Sequence, residues 1–119
     1  MAEEEVEEIV EYDHRFYLSD GTERDLDELK TIWKGRVNSQ AQQNLSETDW
    51  YVVRKAEADT AIPDSVSTYR TATRTKANEF IALIDGCDTF DEFVALFDPQ
   101  VDENGEWAGN PPIADWPTL

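Results

Sequence analysis

A chain of 119 residues with 39% hydrophobic side chains, among them four Trp, four Tyr and five Phe, suits one small domain with a real core. Its formal net charge of −17 is uneven: residues 1–29 carry a net −10, residues 30–85 a net +1 and residues 86–119 a net −8. Such a field repels nucleic-acid phosphates and anionic membranes, and it either favours a basic partner surface or simply maintains solubility.

One cysteine, Cys87, can form no internal disulfide, so nothing calls for an oxidising compartment. No apolar run approaches the roughly 18–20 residues a bilayer span needs. The N-terminus is acidic (Glu3, Glu4, Glu5, Glu7, Glu8), the reverse of a secretory signal, and the sequon Asn44-Leu45-Ser46 is read as chance. The cytoplasm is the expected location.

In chain order, Val10, Tyr12, His14, Phe16 and Leu18 alternate with Glu11, Asp13, Arg15, Tyr17 and Ser19. That period of two predicts a half-buried strand ended by Ser19-Asp20-Gly21, the first arm of a hairpin or an edge strand. From Leu26 the steps lengthen: Leu26, Leu29, Trp33 and Val37 predict an amphipathic helix, with Asp25, Asp27 and Glu28 at its positive end, continuing towards Leu45. Ser46 is a candidate cap for a new start, with Leu45 and Trp50 placed as a hydrophobic staple. A kink near residue 46 and one long helix both fit. Thr60-Ala61-Ile62-Pro63 ends this segment, and Pro63 suits the first turn of the next helix. Val66, Tyr69, Thr73, Ala77, Phe80, Ile81 and Ile84 form its stripe, with Gly86 as its stop. Thr89 and Glu92 make a capping box before a short helix carrying Phe90, Phe93, Val94 and Phe97. Asn104-Gly105 signals a two-residue turn, but a hairpin there sets Glu103 opposite Glu106, which disfavours an isolated ribbon. Trp107, Ile113, Trp116 and Leu119 punctuate an irregular, proline-rich end.

The expected fold class is therefore mainly α. An antiparallel helical hairpin and a third short helix occupy residues 23–98, after a small acidic β segment (1–22) and before an acidic, apolar-anchored tail (99–119). The catalytic inventory is nearly empty. His14 reads as a core or interface histidine, far in sequence from Cys87, which has no basic neighbour to lower its pKa. Asp102-Glu103-Asn104-Gly105 fails as an EF-hand, because the twelfth position falls on Pro111. No catalytic residue, cofactor or metal ligand is expected, and the chain reads as a non-enzyme.

The segment Leu45 to Ile84, about a third of the chain, resembles the tail assembly chaperones and tail-fibre assembly proteins of bacteriophages. The resemblance lies in Asp49-Trp50-Tyr51-Val52-Val53-Arg54-Lys55, then Ala61-Ile62-Pro63, then Tyr69-Arg70 with Arg74 four residues on. Val66 stands where many such proteins have Trp, and Thr73 where a Leu often precedes the later Arg. Asp49, Trp50, Arg54, Tyr69 and Arg70 are the motif positions, with Trp50 and Tyr69 expected to pack across the hairpin. The resemblance implies a helical protein that folds, trimerises or attaches a phage tail-fibre or other tail protein, with no nucleic-acid or membrane partner. Such a protein works as a homo-oligomer or in a fibre-bound complex. Candidate partner-binding residues are Trp107, Ile113, Trp116, Leu119, Arg70 and Arg74. Each has a structural alternative: the tail wraps back over its own hairpin, and the arginines balance the acidic ends. A structural virion component retained in the tail (a fibre-attachment or baseplate adaptor) and an acidic DNA mimic are the other functional readings. The mimic suits the sequence less, because its carboxylates cluster at the ends rather than along one surface.

Overall fold

The computed structural model describes residues 11–119, and the chain is mainly α. In order it has α1 (Leu26–Ser46), α2 (Asp49–Ala58), α3 (Asp64–Asp85), α4 (Phe90–Ala95), the short strands β1 (Gln100–Val101) and β2 (Trp107–Gly109), and a 3-10 turn at Pro112–Ala114.

The two long helices start and stop for identifiable reasons. Asp25 caps α1, its carboxylate accepting from Glu28 N–H, with Asp27 and Glu28 against the positive end. Leu29, Val37 and Ala41 are buried and Trp33 is half-buried, a stripe at four-residue steps. Pro63 caps α3 from just outside, and Gly86 closes it with its N–H on the Ala82 carbonyl. The α3 stripe is Val66, Arg70, Thr73, Ala77, Phe80 and Ile84; an arginine stands inside it, and Tyr69 is only half-buried. Lys34 Nζ lies 2.8 Å from Asp85 Oδ1, while Arg70 Nη1 reaches the Leu45 carbonyl at the same distance. The start of one helix thus meets the end of the other, and α1 and α3 run antiparallel.

Aromatic rings close one flank of this pair. Phe93 is wholly buried; Phe97 meets Phe16 edge-on at 4.8 Å and Trp33 at 4.7 Å between ring centroids. Thr89 caps α4 as expected, its hydroxyl accepting from Glu92 N–H, and the Glu92 carboxylate returns to Asp88 N–H rather than to the cap itself. Ile113 completes the core and Trp116 stands edge-on to Phe80 at 4.8 Å. The core therefore draws on the first, middle and last stretches of the described chain.

Four local expectations are corrected. Residues 11–18 form no strand: Phe16 and Tyr17 N–H groups both donate to the Asp13 carbonyl, making a turn, and a single bridge joins Tyr17 to Glu23. Of the supposed apolar face only Phe16 is buried; Tyr12, His14 and Leu18 are exposed, and Val10 lies outside the described residues. Gly21, at φ +87°, is required there, because a Cβ would stand 2.6 Å from the Tyr12 ring. Secondly, Ser46 does not cap α2. Its hydroxyl donates back to the Gln43 carbonyl as the last residue of α1, and Thr48 is the cap. Thirdly, Trp50 does not pack on Tyr69 across a hairpin bend. Its ring stacks on Tyr51 instead, 3.7 Å between centroids. Finally, β1 and β2 do pair. The loop holds three residues, so Asp102 rather than Glu103 faces Glu106, and the Asp102 carboxylate turns inward to accept from Asn104 and Glu106 N–H. Gly105 takes φ +78°, and the acidic pair that does face across the strands, Asp102 and Glu106, is tolerated because backbone N–H groups hold the Asp102 carboxylate.

Phe93, on α4, is wholly buried in the core with its ring against Phe16 and Phe97. Phe93→Ala should cost about 3–5 kcal/mol, read as a fall in the urea midpoint. Val101→Ala, at a 63% exposed position, should stay within about 0.5 kcal/mol of the parent.

Candidate docking site at the joint of helices α1 and α2

The last carbonyls of a helix have no partner within it and attract cations, while the first turn of a helix attracts anions. Both demands meet at the break between Ser46 and Asp49: a cation from α3 answers the first, and Asp49, in the first turn of α2, answers the second. Arg70 is buried; its Nη1 donates to the Leu45 carbonyl (2.8 Å) and to Thr48 Oγ1 (2.8 Å) and lies 3.0 Å from Asp49 Oδ1. Thr48, 3% exposed, passes its own proton to the Leu45 carbonyl at 3.1 Å. The guanidinium, from α3, thus satisfies the end of α1 and grips the Thr48 and Asp49 side chains at the start of α2, fixing the angle at which α2 leaves.

Helix α2 itself buries no residue. On a helical projection Val52, Ala56 and Val53 share one face with Trp50 beyond its edge, and Trp50 and Val53 are about half exposed, at 53% and 51%. Tyr51 and Arg54, next to Trp50 around the helix, are its half-buried residues. The Arg54 guanidinium lies 5.1 Å from the Trp50 ring centroid and 5.4 Å from that of Tyr51, and its Nε is shielded from solvent without a hydrogen-bond partner. The ring faces take the place of an acceptor there. Asp59 ends the helix at φ +52°, its N–H on the Lys55 carbonyl.

No family model, curated protein or solved structure matches this chain. The site therefore stands on its own geometry.

Of the residues singled out in the sequence, Asp49 and Arg70 touch one another, as do Trp50 and Arg54, all at this joint. Tyr69 lies on α3 beside the C-terminal residues, lining a cleft with Thr68, Ala72 and Leu119. The other candidates divide. Ile113 is in the core, Trp116 is half-buried on Phe80 and Arg70 is committed to the joint, so these three hold the protein's own fold together. Burial removes Ile113 and Arg70 as free anchors for a partner, and Trp116 is partly engaged by Phe80. Trp107 and Leu119, each 69% exposed, remain available, and Arg74 is exposed along the groove beside Asn38, Gln42 and Asn78. Thr48 was missed because a threonine beside a candidate cap reads as one more turn residue. Its burial depends on an arginine 22 positions away.

Cys87 is 5% exposed, donates to the Leu83 carbonyl, and burial pushes its thiol above the ordinary value. It should react with a disulfide reagent at pH 8 far more slowly in the native state than in urea, as a thiol release assay would record. At the joint, Arg70→Met should lower stability by about 1.5–3 kcal/mol, since it strands the Leu45 carbonyl and the Thr48 hydroxyl. Arg74→Met should change it by less than about 0.5 kcal/mol in the same urea titration.

Proposed function

We propose that this protein is a bacteriophage tail or tail-fibre assembly chaperone, a non-catalytic binding protein that holds a tail component during folding or attachment. The observation that carries the reading is α2: a helix with no buried residue, fixed at its base by Arg70, that offers Trp50, Val52 and Val53 to a partner. An isolated helix shorter than about 12–15 residues is marginal in water. Ten residues held out from the core gain most by lying against another protein. Of the residues that carry the family resemblance, Asp49 to Lys55 build this element and Arg70 holds it, while Tyr69 lies beside the C-terminal residues. Acidic stretches on either side keep the exposed apolar surface from self-association, which is what a folding assistant requires. The work is done in the host cytoplasm during assembly.

Co-expression with the tail-fibre proteins of the same genome tests this. A co-purifying complex and increased soluble fibre are expected. Trp50→Ala should weaken the complex about thirtyfold, the scale of an aromatic anchor worth 2 kcal/mol or more. Absence of a complex together with unchanged fibre solubility would reject the proposal.

A further inference from the structure

Only ten lysines and arginines face 27 acidic residues in this chain, so guanidinium groups left without a carboxylate stand out. Two such groups share one surface. Arg24 uses its Nε on the His14 carbonyl at 2.9 Å, and Arg36 stacks over the Trp33 ring at 4.6 Å. Among the described residues, neither forms an ion pair. Arg15 joins them, already holding Asp13 with Nη2–Oδ2 at 2.8 Å and Nε–Oδ1 at 3.1 Å. That grip holds the Asp13 carboxyl below the usual carboxylate range.

The three arginines rim two adjoining hollows between the 13–24 turn and α1. One, of about 170 Å³, is lined by Arg15, Arg24 and Arg36 together with His14 and Trp33. The second, of about 300 Å³, has an apolar floor of Val37, Phe97 and Ile113 and keeps Arg15 and Arg36 at its edge. The shared wall is Arg15, Trp33 and Arg36.

We propose that this paired hollow binds an acidic peptide segment of a partner protein, its carboxylates on Arg24 and Arg36 and one apolar side chain in the larger hollow. Three features select that ligand. Planar guanidinium forks match carboxylates in a bidentate way, and the Asp13–Arg15 pair displays the geometry within the site itself. The apolar floor calls for a side chain between the charges, which a simple anion lacks. The overall −17 charge opposes such a segment, with a net −10 in residues 1–29, but at 0.15 M salt the part beyond about 8 Å is screened and the contact itself is made by the guanidinium groups. The surface shares no residue with α2 and stands whether or not that helix docks a tail protein.

A fluorescein-labelled peptide of four glutamates flanking one leucine serves as the probe, followed by anisotropy with the full chain at 0.15 M salt. It should bind at least about tenfold more tightly than the matching glutamine peptide, and more tightly than the one with glycine for leucine. Arg24→Ala/Arg36→Ala should cost about tenfold, Arg36→Lys should fall between, and Arg74→Ala should have no effect. Arg36→Ala alone, at an exposed side chain with no hydrogen bond to lose, guards against unfolding of the double variant. The Trp33 indole N–H should shift in the proton–nitrogen spectrum as the peptide is added. Equal affinity for a lysine peptide, undiminished binding by the folded arginine variants, or an unmoved Trp33 signal would each overturn the proposal. Concentration-dependent sedimentation of the parent that disappears in Arg36→Ala would assign the surface to a second copy and overturn it equally.

Discussion

Two antiparallel helices share one seam and leave their flanks wet, and this chain is built around that constraint. The seam between α1 and α3 contains small or polar residues at several points, among them Ala41, Thr73 and Ala77. Large side chains gather toward one end, where Leu29, Phe80 and Ile84 sit. The remaining flank is filled from outside by Phe16, Phe93 and Ile113, which come from three separate stretches of chain. Aromatic rings suit this task because each covers a large area with few rotatable bonds, and edge-on contacts let them meet at irregular angles. The short α4 and the turn at Asp13 persist because they carry those rings.

The other end of the seam has the opposite problem: too little apolar surface and too many unpaired backbone groups. Arg70 solves both at once. Its aliphatic stem lies in the α3 stripe, and its head joins the Leu45 carbonyl, the Thr48 hydroxyl and the Asp49 carboxylate. The Asp49 side chain remains more than half exposed, so the ion pair itself adds little. The hydrogen bonds to shielded oxygens carry the weight. Because the clamp sits at the base of α2, that helix can have a defined direction without burying any of its own side chains.

How far the sequence discloses this depends on what each residue answers to. The α1 and α3 stripes were legible because burial on a helix repeats at three and four residues, as from Leu29 to Val37. The capping role of Thr89 was legible for the same reason, being local. Residues 12–18 misled because alternation was broken by backbone rather than side-chain demands: Asp13 accepts two N–H groups and turns the chain. The 102–106 loop misled by one residue of length, which moved Glu103 off the pairing position. Arg70 could not be placed as a buried group from sequence, since its desolvation is compensated by oxygens 21 to 25 residues away. The same holds for Arg24 and Arg36, which come together only when the 13–24 turn folds onto α1.

Charge then takes on a more specific meaning than solubility. The acidic residues of α4 and the 98–106 stretch lie on exposed positions, where hydration costs nothing and self-repulsion keeps copies apart. The arginines are used sparingly and in different ways: Arg70 on a backbone carbonyl, a hydroxyl and a carboxylate, Arg54 and Arg36 on aromatic faces, Arg15 on a neighbouring carboxylate. Arginine suits all three settings because its flat, always-charged head both stacks and forks, which lysine cannot do. Among these, the stacked heads are the ones still able to accept a carboxylate. A ring face occupies only one side of the guanidinium plane and leaves the in-plane N–H donors free. In an acidic chain, an arginine resting on an aromatic ring is therefore anchored without being neutralised, the condition a surface needs if it is to recognise a carboxylate brought by another protein.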